Sequence, residues 1–325
     1  MKLVDNYHRT IDYLRLSVTD RCNLRCRYCM PAQGVEATAH AQILIYEDLL
    51  FLAQTAVGLG VEKIRITGGE PLVRRGIISF LERLHALKGM QHLVLTTNGL
   101  LLEEYAQSLK DAGVRCLNVS VDSLQPQRYA HITRGGDLAS WWRGIEAAHH
   151  AGLRLKLNVV VMRGINDDEI HDFTALAAQN PWSVRFIEYM PTLQGPDSTL
   201  QGIETQTLLE SLRQHYTLEP VLRQAQAGPA QEFRLGGGKG SVGFIAAISC
   251  PFCHNCNRIR ISATGKGRSC LFAQGEMDLK PAIKQRNHAT LSAELIKLVA
   301  QKPQQHDLGE QPAVQTAVAM SAIGG

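Results

Sequence analysis

The stretch Tyr13-Leu14-Arg15-Leu16-Ser17-Val18-Thr19-Asp20-Arg21-Cys22-Asn23-Leu24-Arg25-Cys26-Arg27-Tyr28-Cys29 decides the fold. Residues 13–18 alternate in polarity, the period of a strand with two different faces, and the polar, cysteine-bearing run that follows marks the strand's end. The pattern recurs down the chain. Apolar alternation predicts further strands at 63–67, 93–97, 116–122, 156–161 and 184–189, and helical periodicity predicts helices between them at 46–58, 77–87, 102–112, 141–151 and 169–178. Strands that alternate with helices pair in parallel through right-handed crossovers, as in an α/β barrel or a doubly wound sheet.

The polar residues decide between these two. They sit just after the strands, at 20–29, 68–71, Asn98, Asp122 and 188–191, and a barrel gathers its strand-end loops around one mouth. Six strands predict an incomplete (β/α)6 barrel of TIM type, with the C-terminal remainder over its open side. A helix is expected near 205–215, a Gln, Ala and Gly-rich loop or boundary at 223–243, strands at 244–249 and 258–262, a helix at 290–300 and little structure at 303–315. This divides the chain into a barrel at 1–222 and a C-terminal region at 223–325.

The 325 residues are 45% hydrophobic and 20% charged, enough to bury a substantial core and too apolar for disorder. Thirty-four Lys and Arg against 30 Asp and Glu give a net charge of +4 without long basic runs, which does not favour nucleic-acid binding. No apolar run reaches the roughly 18 residues of a membrane span, and residues 1–20 lack the apolar core of a signal peptide. A cytoplasmic protein is expected, and its eight cysteines are then not disulfide staples.

Seven of those cysteines fall in two groups, Cys22, Cys26 and Cys29 near the start and Cys250, Cys253, Cys256 and Cys270 near the end. Three thiolates hold three irons of a [4Fe-4S] cluster and leave the fourth open. The alternative for the first group is a zinc knuckle lacking its fourth ligand. Cys116, at the start of a strand, reads as an inert core thiol, and His149-His150 reads as helix surface.

The spacing Cys22-x3-Cys26-x2-Cys29, with Tyr28 before the last thiol, resembles the signature of the radical S-adenosylmethionine (SAM) enzymes. The resemblance implies that the open iron chelates the methionine part of SAM and that one-electron reduction releases a 5′-deoxyadenosyl radical. Thr67-Gly68-Gly69-Glu70-Pro71, after the second strand, alone reads as an ordinary turn. Beside the cysteine loop it resembles the family's SAM-binding ledge, with Gly68, Gly69 and Glu70 as cofactor-binding residues.

Further on, Pro251-Phe252-Cys253-His254-Asn255-Cys256-Asn257-Arg258-Ile259-Arg260 and the later Cys270 resemble the GTP 3′,8-cyclase family of radical SAM lyases, which opens molybdenum cofactor biosynthesis. The resemblance spans nearly the whole chain, ending in Ile323-Gly324-Gly325. It implies a second [4Fe-4S] cluster on Cys253, Cys256 and Cys270, with an open iron for guanine. It implies GTP contacts at Arg15, Lys63, Arg65, Thr96, Lys156, Arg185, Arg258, Ile259 and Arg260, and SAM contacts at Tyr28, Gly69, Ser120 and Met190. A tail reaching the active site, with Gly324 and Gly325 supporting the radical step, is implied as well. So are a homodimer, a flavodoxin or ferredoxin as electron donor, and a following cyclic pyranopterin monophosphate synthase. Alternation on a strand independently puts Arg258 and Arg260 on one face, placed to fork phosphate oxygens. Cys250 leaves open a four-thiolate cluster or a structural zinc at the second group. A radical SAM peptide modifier and a zinc-ribbon module that binds nucleic acid are the rival readings.

Overall fold

The computed structural model describes residues 2–36, 38–190, 199–222, 228–273 and 275–306. Its strands are β1 Tyr13–Ser17, β2 Lys63–Thr67, β3 His92–Thr97, β4 Cys116–Ser120, β5 Arg154–Val161, β6 Ser183–Glu188, β7 Leu218–Pro220, β8 Gln231–Leu235, β9 Ser241–Ile245, β10 Arg258–Ile261, β11 Lys266–Arg268 and β12 Met277–Asp278. The helices are α1 Tyr46–Gly58, α2 Ile77–His85, α3 Leu102–Asp111, α4 Pro126–Thr133, α5 Leu138–His150, α6 Ile170–Gln179, α7 Thr205–Arg213, α8 Lys280–Lys284 and α9 His288–Ala300. One sheet runs β12-β11-β10-β1-β2-β3-β4-β5-β6-β9-β8-β7. It ends at β12 on one side and β7 on the other, so the barrel is open.

The six expected strands pair in parallel and in order. The C-terminal region then lengthens the parallel run at both ends, with β10 beside β1 and β9 beside β6. Antiparallel β11 and β8 end the parallel run.

Period-two alternation explains why polar strands lie at the centre of the molecule. In β4, Leu117 and Val119 join the apolar core, while Asn118 and Ser120 face the barrel's cavity. Leu14 and Leu16 flank Arg15 in the same way, Ile64 and Ile66 flank Arg65, and Val184 and Phe186 flank Arg185. α5 starts earlier than its periodicity suggests, because the Asp137 carboxylate caps the amides of Ala139 and Ser140. Its fully buried Trp141 donates an indole hydrogen bond to the Ser120 carbonyl at 3.2 Å, fixing the end of β4.

The expected loop at 223–243 is corrected in part, because β8 and the start of β9 form there. Phe233 and Leu235 are buried and Arg234 between them is exposed, a strand alternation obscured by the glycines that follow. Gly237, at φ +73°, makes the turn, and a Cβ on Gly240 would lie 2.2 Å from the Trp182 carbonyl oxygen. No helix of the described residues is long and apolar enough to cross a membrane.

Candidate active site

The mouth of the barrel and the C-terminal region enclose a cavity of about 260 Å³ lined by Cys22, Cys26, Cys29, Cys253, Cys256 and Cys270 together. The topology makes them meet, since Cys22 follows β1 and Cys256 lies two residues before the start of β10, its parallel neighbour. Among the described residues no group of three or more His, Cys, Asp or Glu side chains closes around a single ion. Cys250 is exposed and does not line the cavity, Cys116 is buried on β4, and His149 and His150 are exposed.

The first cysteine loop turns tightly, with the Cys26 carbonyl accepting from the amides of Cys29 (2.9 Å) and Met30 (3.1 Å). α4, which the sequence reading missed, is its backing. Arg25 and Arg27 donate backbone amides to the Thr133 and Ile132 carbonyls, and Arg134 reaches back to the carbonyls of Arg25 and Met30. Burial, then the neighbouring Cys29 and Asp122, push the Cys26 thiol well above its ordinary range. A cationic iron at this donor set would reverse that preference.

Gly68 and Gly69 line the cavity and let the β2 loop press on the β1 loop, with the Gly69 amide 2.8 Å from the Thr19 carbonyl and the Glu70 amide 2.8 Å from that of Arg21. The Glu70 side chain turns away from the cavity. Fully buried, it accepts from Leu72 N (3.0 Å), Thr97 Oγ1 (2.9 Å) and Asn98 N (2.6 Å), fastening β2 to the end of β3. Burial raises it to about 7 against these three hydrogen bonds. Tyr28, Ser120 and Met190 also line the cavity.

The same cavity holds a cluster of cations. Arg15, Arg65, Arg185, Arg258 and Arg260 line the cavity, as does Thr96. Lys63 and Lys156 do not line it, although their charges act on Arg65 and Arg185, which do; the Lys63 ammonium lies 4.7 Å from the centre of the Tyr13 ring. Burial and the neighbouring Arg260 and Arg65 hold Arg15 well below the usual guanidinium range, and burial and Arg258 bring Arg260 to about 10. Burial and Arg185 bring Lys156 to about 8. Glu232 on β8 is a carboxylate in this cluster, bonded to Arg185 Nε at 2.9 Å and supported by Ser183 and Ser241.

Arg258 and Arg260 do share a face, but Arg258 approaches the second thiol group, with Nη2 3.9 Å from Cys256 Sγ and its guanidinium 5.0 Å from the Phe252 ring centre. Burial disfavours the Cys256 thiolate, yet Arg258 and Lys302 outweigh it and bring the thiol to about 6. Ile259 points the opposite way, into the apolar core. Gly324 and Gly325 lie outside the described residues.

Several cavity residues were not singled out by the sequence. Asn118 is fully buried with both amide atoms unpartnered, and Asn158 Oδ1 is likewise unpartnered, as is Oγ1 of Thr96, a residue the sequence did indicate. Glu188, at the end of β6, accepts from Thr205 N, Ile248 N and Ser249 N, bracketing the approach to the second cysteine group. The period-two pattern was a signal for Asn118 and Asn158. Glu188 was legible only as a polar residue at a strand's end and nothing local distinguishes Glu232; the partners of both are distant in sequence.

Residues 16–177 match the radical SAM superfamily, and residues 182–308 match the family described as Molybdenum Cofactor Synthesis C. A Geobacter sulfurreducens protein called GTP 3′,8-cyclase is 49% identical over 326 residues, covering 100% of both chains. The chain belongs to the GTP 3′,8-cyclase family of radical SAM enzymes. A Moorella thermoacetica relative of the same name is 46% identical over 323 residues, covering 99% of both chains. Among solved structures, Streptococcus suis SuiB superposes with a TM-score of 0.60 at 15% identity, over 88% of this chain and 67% of that one. SuiB bound to the precursor peptide SuiA gives 0.55 at 16% identity, over 64% of this chain and 47% of that one. These two likenesses concern the fold alone. The radical SAM match runs from the last residues of β1 into α6 and the other begins just before β6, so the first contains β2 to β5 and the second contains β6 to β12.

Proposed function

We propose that the chain is a GTP 3′,8-cyclase that joins C3′ of the ribose of GTP to guanine C8, giving (8S)-3′,8-cyclo-7,8-dihydroguanosine 5′-triphosphate, the first step of molybdenum cofactor biosynthesis. One observation carries this reading: two thiol triplets and a buried cluster of like-charged side chains line one cavity. Buried cations that depress one another are costly without an anion between them, and a nucleoside triphosphate supplies one.

Cys22, Cys26 and Cys29 would hold one [4Fe-4S] cluster, with SAM against Tyr28, Gly68, Gly69, Ser120 and Met190. Cys253, Cys256 and Cys270 would hold a second. Three accessible thiols in each set fit a cluster with one open iron. Bound there, the first cluster and SAM supply a radical able to abstract hydrogen. The protein's own residues then bind, orient and exclude water. Lys63, Arg65, Lys156 and Arg185 suit the triphosphate, with Glu232 holding the Arg185 fork in plane. Asn118, Asn158 and Thr96 offer neutral donors and acceptors to the sugars. Arg258 and Phe252 beside Cys256 suit the guanine end.

In this reading residues 1–222 generate the radical and carry the first set of GTP contacts, while residues 223–325 add the second cluster, the GTP-binding Arg258 and Arg260, and the Gly324-Gly325 tail that supports the radical step. A cytoplasmic homodimer, a flavodoxin or ferredoxin donor and transfer of the product to cyclic pyranopterin monophosphate synthase complete it. The test is an anaerobic incubation with GTP, SAM and dithionite. Brown protein with roughly eight irons per chain, 5′-deoxyadenosine and a cyclised nucleotide are expected. A colourless zinc protein, or SAM cleavage without change in GTP, refutes it.

A further inference from the structure

The segment from Lys302 to His306 touches every limb that carries the second thiol triplet. Lys302 is 3% exposed, and its ammonium donates to the carbonyls of Arg258 (2.9 Å) and Ser269 (2.7 Å). Those carbonyls belong to the residue two after Cys256 and the residue just before Cys270, so one side chain ties the two limbs together. An ammonium has three donors; two are committed to carbonyls, and Lys302 lines the cavity next to Cys256.

The third limb is held from the other end of the chain. Arg9, bonded to the buried Asp5 carboxylate, donates Nη1 to the Cys253 carbonyl (2.7 Å) and the Gln304 carbonyl (3.0 Å), and Nη2 to that of Pro303 (2.6 Å). His306 closes the strap, with its backbone amide on the Cys253 thiol, its ring 2.8 Å from the Ala247 carbonyl oxygen and edge-on to Phe272. Buried Lys and Arg are costly, and a mere strap would be held as well by neutral donors.

We propose that Lys302 is a positioning residue for the second cluster, with Arg9 and Asp5 behind it: its ammonium fixes the spacing of the Cys256 and Cys270 limbs and sets the reduction potential of the cluster they hold. The proposal rests on the two-cluster reading above. A fixed cation beside a buried anionic cluster favours the more reduced state and so raises its potential, and hydrogen-bond donors around the ligands commonly tune such centres.

The test uses the full chain, reconstituted anaerobically as wild type, Lys302→Met and Lys302→Arg, with iron content and an EPR-monitored redox titration as readouts. Wild type should hold roughly eight irons per chain. Lys302→Met should either lose about half of that iron, or keep it and titrate the second cluster at a more negative potential. The first cluster's potential stays unchanged. Lys302→Arg, which keeps the charge, should restore the iron and most of the potential. Wild type with two clusters and Lys302→Met with both potentials unaltered would overturn the proposal alone. Wild type with a single cluster would overturn the two-cluster reading and the proposal with it. Should Lys302→Met not fold, Lys302→Gln keeps two N–H donors without the charge and carries the same comparison.

Discussion

An ideal Cβ placed on Gly69 lies 2.3 Å from the carbonyl oxygen of Arg21, in the loop that carries the first cysteines. Neither atom has room to yield, because the Gly69 and Glu70 amides are bonded to the backbone of that loop. Gly69→Ala should therefore separate the two loops, costing about 1–3 kcal/mol as overpacking does, and should lower both SAM affinity and retained iron. Gly58, at the end of α1, has open space around it and no positive φ. Gly58→Ala should stabilise by about 0.4–1 kcal/mol without touching iron content. Thermal unfolding and iron analysis of the two variants check both expectations.

That contrast shows what the sequence could and could not reveal. Gly68-Gly69 was legible as a close backbone approach, but the surface approached includes the cysteine loop itself. Strands were legible because each alternates apolar and polar residues, and the alternation also indicated which residues enter the barrel. β8 was hidden because five residues of strand precede a Gly-rich turn. α4 was missed although Pro126 begins it, since its packing partner is the cysteine loop. Glu70 illustrates the limit: its position in the motif was clear, yet only the folded chain shows its carboxylate bound to Leu72, Thr97 and Asn98.

The six cavity cysteines and the exposed Cys250 should behave differently. Cys22→Ala, Cys26→Ala or Cys29→Ala should abolish SAM cleavage and remove one cluster's iron. Cys250→Ala should leave iron and turnover nearly intact, because that thiol lies outside the cavity. Iron content and 5′-deoxyadenosine formation decide the matter; loss of iron in Cys250→Ala would mean a four-thiolate second site.

Lys156 predicts a pH dependence of substrate binding. Burial and the Arg185 charge bring its pKa down to about 8, so in the free protein the ammonium is lost as pH rises through that value. A triphosphate binds the protonated form better, and affinity for GTP should fall as pH rises above about 8. Below it, affinity should level off as far as this group is concerned. Lys156→Arg keeps its charge across this range and should flatten the fall. Equilibrium binding of GTP between pH 7 and 9.5, roughly the span over which the group titrates, provides the comparison.

Arg258, Ile259 and Arg260 of β10 predict three separate outcomes. Arg260, 7% exposed and adjacent in register to Arg15, faces the cation cluster, so Arg260→Ala should weaken GTP by roughly ten-fold to a hundred-fold, the equivalent of about 1.5–3 kcal/mol. Arg258 lies beside Cys256, and Arg258→Ala should add to a loss of affinity a change in the EPR signal of the second cluster. Ile259 packs in the core on the opposite face, so Ile259→Val should cost about 0.5–1.5 kcal/mol of stability and leave GTP affinity unchanged. Calorimetric binding, EPR and thermal unfolding separate the three effects. If Arg258→Ala and Arg260→Ala both bind GTP as wild type does, the nucleotide does not lie against β10, and the cation cluster serves some other anion.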